Sequence, residues 1–342
     1  MLQHGVKLEQ EKTALLKNGI RRLPAAPQGR KPHANFSPAG KDAEPAEILR
    51  AARQAGIVDE LSGKPLAQVL ELFAEQKTDF LVACGFDDDS VACAEQAVLR
   101  EEPEKVTDGL RLAAKACGAD ENRVAAASGS DAKRFSQKLT GIPAFAVGKR
   151  YPAACLLTQK LGRSGKKAAL LGVQACTALS DAVCSGIPQE ETVLTVAGDA
   201  VDKPGNYRVT IGTSAETVLK AAKMDDSAQF AAVGSVIAGR TVRGLSFPIT
   251  VTARCLFVQR KAPKHSVYPC VKCGRCARAC PVGIIPWLVH RELESSRPDS
   301  LLFFHVEACI GCNACGLVCP SGIELAAEVR RAAAGKKGSV GA

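Results

Sequence analysis

The chain has 342 residues, a net charge of +10 and only 4% aromatic residues. This length predicts two or three domains rather than one core. The basic residues are spread along the chain without a recognition motif, which argues against nucleic acid as a partner. There is no run of about 18 apolar residues to span a membrane, and residues 1–18 lack a signal-peptide core. We therefore expect a cytoplasmic protein, with docking at the inner face of the membrane left open.

Residues 1–45 are rich in Lys, Arg, Pro and Gly and have little apolar periodicity. This composition predicts a flexible basic arm. From residue 46 to residue 190, segments with helical spacing alternate with short apolar runs at 79–84 and 167–173. The alternation predicts an α/β domain whose parallel sheet is covered by helices on both faces. Ligands on such a sheet bind beyond the carboxyl ends of its strands, and residues 84–90 lie at such an end.

Residues 191–258 have a different pattern. Two segments that alternate in polarity, 193–198 and 207–212, predict a pair of strands joined by a turn. A helix is expected at residues 214–223, and the apolar run at 247–258 indicates another strand. We therefore predict a small module of strands with one helix.

The cysteines carry the clearest chemical signal in the chain. A cytoplasmic redox poise disfavours structural disulfides, so 15 cysteines indicate metal or redox chemistry. Eight of them form two runs of the pattern C-x2-C-x2-C-x3-C-P, which bacterial two-cluster ferredoxins use. The runs are Cys270, Cys273, Cys276 and Cys280, and Cys309, Cys312, Cys315 and Cys319. Residues 259–330 are thus predicted to be a ferredoxin domain with two 4Fe-4S clusters, and residues 331–342 a flexible tail.

In this pattern the fourth cysteine of each run binds the other cluster. One cluster is therefore expected on Cys270, Cys273, Cys276 and Cys319, and the other on Cys309, Cys312, Cys315 and Cys280. Small residues let backbone amides approach the cluster sulfides, and we expect this of Gly274, Gly311 and Gly316. The segment 286–296 has helical spacing and is predicted to pack between the two cysteine loops.

Zinc is the alternative occupant, but zinc sites use paired C-x2-C and need no third cysteine at that spacing. The other seven cysteines lie in apolar contexts, which is typical of small buried side chains. They are Cys84, Cys93, Cys117, Cys155, Cys176, Cys184 and Cys255. Cys84 is the one that falls beside the predicted ligand edge of the sheet.

The order of these parts resembles the RnfC family, the C subunits of the Rnf electron-transport complex and their soluble relatives. The resemblance rests on the two cysteine runs and on the segment V-A-G-D-A-V-D-K-P-G-N-Y at residues 196–207. It implies that residues 46–190 resemble the FMN-binding domain of the complex I flavoprotein. It also implies that residues 191–258 form a soluble-ligand-binding β-grasp (SLBB) module. On this resemblance, the arm of residues 1–45 is expected to take the place of the family's N-terminal barrel-sandwich domain.

The resemblance weakens at the flavin site. The family has a glycine-rich loop where this chain has residues 56–65, and Asp59 and Glu60 there would repel a phosphate. Two acidic positions of the family's flavin motif survive as Asp87 and Asp89. If FMN binds, these two carboxylates are expected to contact it. The alternative is that they cap the following helix and interact with its dipole.

Three functions follow as hypotheses, and none assigns a catalytic residue. The first is an iron–sulfur relay that passes single electrons between redox partner proteins, with acidic ferredoxin or flavodoxin suggested by the positive charge. The second is an FMN-dependent NADH-oxidising subunit that feeds the clusters. The third is an assembly module whose clusters are structural.

Overall fold

The computed structural model describes residues 14–23, 36–88, 91–138, 141–147, 151–163, 165–234, 237, 239–261, 266–295 and 305–339. The chain divides into two compact units, Met1–Lys261 and Ala262–Ala342. The finer boundaries expected at residues 45, 190, 258 and 330 stay predictions. None of the helices in the described ranges combines the length and apolarity that crossing a membrane requires.

The described residues of the larger unit form two sheets and eight named helices. Its strands are β1 (Ile20–Arg22), β2 (Phe80–Gly85), β3 (Glu121–Ala126), β4 (Ala144–Ala146), β5 (Ala168–Gly172), β6 (Glu191–Ala197), β7 (Gly205–Thr210), β8 (Phe230–Val233), β9 (Arg240–Val242) and β10 (Cys255–Gln259). Its helices are α1 (Pro45–Gln54), α2 (Leu66–Glu75), α3 (Ala94–Glu101), α4 (Pro103–Cys117), α5 (Gly129–Lys138), α6 (Ala153–Gly162), α7 (Val173–Ser185) and α8 (Ala215–Ala221).

The first sheet is parallel throughout, in the order β4-β3-β2-β5. Side chains of β2 alternate between two cores, because Leu81 and Ala83 face one and Phe80 and Val82 face the other. The predicted parallel sheet with both faces covered is therefore confirmed. Because every connection runs from a strand to a helix, helices α3, α5, α6 and α7 all begin near the carboxyl edge of this sheet.

Helices α4 and α7 pack against each other at close range. Gly109 of α4 makes this approach feasible, since a Cβ atom there would lie 1.8 Å from the carbonyl oxygen of Cys176. Both helices contribute buried aliphatic side chains to the core on that face, including Leu110 and Leu179. A residue without a side chain thus sets the distance between the two helices.

The second sheet is mixed, in the order β1-β7-β6-β10-β8-β9. Strands β6 and β7 form an antiparallel pair, β10 lies parallel to β6, and β8 is antiparallel to β10. Helix α8 follows Ser214, whose hydroxyl accepts a hydrogen bond from the Thr217 N–H. Apolar residues of the strands and of α8, among them Leu194 and Leu219, form the core of this module.

Three expectations differ from the fold. Residues 331–339 of the predicted flexible tail are helical, as part of the helix Leu325–Ser339. The predicted basic arm contains β1, which pairs in parallel with β7, so residues 20–22 are part of the sheet. The apolar run at 247–258 forms a strand only from residue 255, because residues 250–254 make a turn in which the Ala253 N–H donates to the Thr250 carbonyl.

The smaller unit is built from short helices around the cysteine runs. They are α9 (Arg275–Ala279), α10 (Pro286–Glu294), α11 (Ala314–Leu317) and α12 (Leu325–Ser339), with a 3₁₀ turn at Val306–Ala308. Helix α10 falls within the predicted segment 286–296. Val289 of α10 and Val329 of α12 are buried in the same small core, beside Cys280 and Cys309.

Candidate functional site

The two cysteine loops have the same backbone conformation. Residues with a positive φ angle occur at equivalent places in the two loops and again after each Cys-Pro pair. One of those in the first loop is a lysine. The equivalent pairs are Lys272 (φ 53°) with Gly311 (φ 71°), Gly274 (70°) with Asn313 (59°), and Gly283 (76°) with Gly322 (67°). The smaller unit therefore contains a structural duplication. Gly274 and Gly311 adopt these turns without strain, whereas Gly316 is in a helix.

Each loop borders its own cavity. The first cavity is lined by Cys270, Cys273, Cys276 and Cys319, together with Trp287. The second is lined by Cys280, Cys309, Cys312 and Cys315. Each cavity thus combines three cysteines of one run with the fourth cysteine of the other run.

A short set of contacts ties the crossing segments of the chain together. The Tyr268 N–H donates to the Ser321 carbonyl at 2.8 Å, and the buried Ser321 hydroxyl donates to the Pro269 carbonyl at 2.9 Å. These bonds hold the segment before Cys270 next to the segment after Cys319. The two ends of the duplicated region are therefore fixed at the first cavity.

The arrangement of the thiols suits a cluster better than a single ion. Within the described residues, no three Cys, His, Asp or Glu side chains are placed to hold one metal ion. A cubane needs four thiolates spread around it, each on a different iron, which a thiol-lined cavity provides. Burial raises the pKa of the Cys276 thiol and raises the pKa of Cys315 to about 12, so both must release a proton when iron binds.

The carboxyl edge of the parallel sheet is the second candidate site. Helix N-termini bind anions through their free N–H groups. At this edge, three helix N-termini instead donate hydrogen bonds to carboxylates of the chain itself. Asp87 accepts hydrogen bonds from the Glu95 and Gln96 N–H groups of α3, the shortest at 3.1 Å. Asp88 accepts from the Ala153 N–H of α6 at 2.6 Å.

Helix α7 is capped in the same way by the segment that replaces the glycine-rich loop. The Glu60 carboxylate accepts from the Gln174 and Ala175 N–H groups at 2.7 and 2.9 Å, and Asp59 accepts from Gly172 at 2.9 Å. A Cβ atom on Gly172 would lie 2.0 Å from Glu60 Oε1. The space beside the Gly172 backbone is therefore occupied by the Glu60 carboxylate.

Within the described part of this edge, these contacts occupy N–H groups at three helix N-termini, which are then not available to a flavin phosphate. Asp87 is buried and serves as a helix cap, which is the alternative that the sequence left open. Asp89 lies outside the described residues. The sequence predicted that Asp59 and Glu60 would repel a phosphate. It did not predict that their carboxylates accept hydrogen bonds from the backbone N–H groups at the start of α7. Cys84 is buried, and burial raises the pKa of its thiol, so it offers no reactive thiolate.

We expect Glu60 to make stability fall as the pH rises. Burial, followed by the charge of Asp59, raises the pKa of Glu60 to about 7 from its ordinary 4.5. The folded chain thus holds this proton more tightly than the unfolded chain, and the stability it contributes is lost between those two values. The Glu60→Gln variant should lack most of this pH dependence. The difference is on the order of 2 to 3 kcal/mol in the free energy of unfolding across this pH range.

The measurement is the thermal midpoint of both proteins by far-UV circular dichroism between pH 5.5 and pH 8, without oxygen. Glu75→Gln, on an exposed position of α2, is the matched control and should leave the slope unchanged. Equal slopes for the wild type and Glu60→Gln would contradict the buried titration.

Comparison with known proteins agrees with this organisation. Residues 269–323 match the family model of the 4Fe-4S dicluster domain. The C subunit of the ion-translocating oxidoreductase complex from Serratia proteamaculans is 28% identical over 264 residues, which cover 70% of this chain and 37% of that protein. Its counterpart from Rhodobacter capsulatus is 24% identical over 277 residues, covering 75% of this chain and 53% of that protein. The chain thus spans about half or less of the length of these curated relatives.

A solved structure has a similar fold. The NAD+-reducing [NiFe]-hydrogenase in the air-oxidized state matches with a TM-score of 0.55 at 15% identity, covering 86% of this chain and 66% of that chain. At this identity the likeness concerns the fold alone. By sequence, this chain is similar to the C subunits (RnfC) of ion-translocating oxidoreductase complexes, and its residues 269–323 match the 4Fe-4S dicluster domain.

Proposed function

We propose that the chain is an electron-relay subunit of an oxidoreductase complex and passes single electrons between redox partner proteins. The observation that carries the proposal is the pair of cavities, each lined by four cysteines of the dicluster domain. When bound, a 4Fe-4S cluster supplies a one-electron carrier. The chain's part is to hold the thiols around each cavity, beside apolar residues such as Trp287 and Val329.

The proposed ligands are the two sets expected from the sequence. Cys270, Cys273, Cys276 and Cys319 would hold one cluster, and Cys280, Cys309, Cys312 and Cys315 the other. The lining of the two cavities supports this assignment.

We also propose that residues 191–258 form the soluble-ligand-binding β-grasp module. The strand order β7-β6-β10-β8 supports this, with a hairpin, a helix and then a strand parallel to the first. In the relay, this module and the parallel-sheet domain serve as a docking scaffold. Capping of α3, α6 and α7 by the chain's carboxylates favours a relay that works without FMN.

Protein purified without oxygen should therefore contain about eight irons and no stoichiometric flavin. NADH should leave the iron–sulfur absorbance unchanged, while dithionite should bleach it. The measurement is one absorbance spectrum with iron, sulfide and flavin assays, before and after each reductant. One FMN per chain together with bleaching by NADH would overturn the flavin-free relay in favour of the NADH-oxidising alternative.

A further inference from the structure

The loop of the first cavity is basic on its exposed side. The chain has no Asp or Glu between residues 266 and 291. In that stretch Lys272, Arg275 and Arg278 are exposed, and among the described residues none of the three forms an ion pair with a carboxylate. We call residues 267–278 the first-loop face.

The same face is apolar between its charges. Val267, Tyr268 and Val271 are exposed to 61, 62 and 66% and are the most exposed large apolar side chains among the described residues. Apolar side chains left in water next to unpaired charges are typical of a surface that another protein covers.

This face is also the outer wall of the first cavity. Val271, Lys272 and Cys273 line the cavity and are at the same time exposed to solvent. A protein bound to the first-loop face would thus be separated from the cavity by about the thickness of one residue.

The second loop provides an internal comparison, because it has the same backbone without the charge. Residues 308–323 contain no charged side chain. Lys272 has a left-handed φ of 53° where the second loop has Gly311. A side chain in this conformation is strained relative to glycine, because its Cβ atom crowds the following carbonyl oxygen. The charge of the first-loop face is therefore a property of its side chains and not of the loop's backbone.

We propose that the first-loop face docks an acidic one-electron carrier protein. This inference rests on the proposed relay function and assigns its partner contact to the first cavity. Charge complementarity selects an acidic partner and speeds its arrival, while Val267, Tyr268 and Val271 supply the apolar contact.

The test uses the holoprotein and two probes, an acidic two-cluster bacterial ferredoxin and a basic c-type cytochrome. Calorimetry at low ionic strength measures binding, and stopped-flow absorbance measures electron transfer from the dithionite-reduced protein. We expect the ferredoxin to bind and the cytochrome not to bind. The double variant Arg275→Glu and Arg278→Glu changes two exposed residues that do not line the cavity. It should weaken ferredoxin binding by about tenfold or more and remove its dependence on salt.

The control is Lys133→Glu with Arg331→Glu, two exposed basic residues elsewhere that give the same change in net charge. It should leave binding unchanged, and both variants should retain full iron content and bleaching by dithionite. Equal weakening in both variants, or none in either, would overturn the docking assignment. Binding at the first-loop face without electron transfer would instead contradict the relay function and leave the docking surface standing.

Discussion

Replacing Cys276 and Cys280 together with alanine is expected to abolish both 4Fe-4S clusters, although the two residues are only four positions apart. Cys276 lines the first cavity and Cys280 the second, so the double variant removes one thiol from each. A cubane that lacks one of its four thiolates is not held stably. We expect nearly all the iron to be lost.

The matched control is Cys280→Ala with Cys309→Ala. These positions are farther apart in sequence but line the same cavity, so this protein should keep about half of the iron. Iron and sulfide analysis, with electron paramagnetic resonance of the reduced proteins, distinguishes the two results. If each run held a cluster alone, the outcomes would be reversed: the first variant would keep one cluster and the second would keep none.

The Gly109→Ala variant should lose about 3 kcal/mol of stability, near the upper end for an overpacked core position. The added methyl group would overlap the carbonyl of Cys176, and a backbone atom cannot rotate away as a side chain can. Helices α4 and α7 must therefore move apart, which opens the core around Leu110 and Leu179.

Far-UV circular dichroism under anaerobic conditions measures this effect as a fall of about 6 to 12 °C in the melting midpoint of the larger unit. Gly162→Ala is the control, because a Cβ atom at that position meets no atom within 4 Å. That variant should be neutral or slightly stabilised, since alanine favours helix. A Gly109→Ala protein that melts like the wild type would show that the helices do not approach so closely.

Local patterns in the sequence were sufficient to predict the iron–sulfur chemistry of the smaller unit. The cysteine runs identify the dicluster domain because ligand spacing within a run is a local property, and the family match covers that region. The helices at residues 45–54, 66–75 and 103–117 lie in the region where helical spacing was expected, and each has one clear apolar face.

Contacts between distant parts of the chain were harder to predict from the sequence. Strand β3 was missed because its first three residues, Glu121 to Arg123, are polar and half-buried, so its apolar run is short. Asp87 was recognised as a cap candidate, but Asp88 caps a helix that begins 65 residues later, at Ala153. No periodicity in the sequence connects positions so far apart.

The crossing of the two cysteine runs has a consequence for how the protein is made. Cys270 leaves the ribosome long before Cys319, yet both border the same cavity, and so do Cys280 and Val329 in the second. A nascent chain that stops at residue 318 has three thiols for the first cavity and lacks the fourth. With the proposed ligand sets, neither cluster has its four thiols until the second run has been translated.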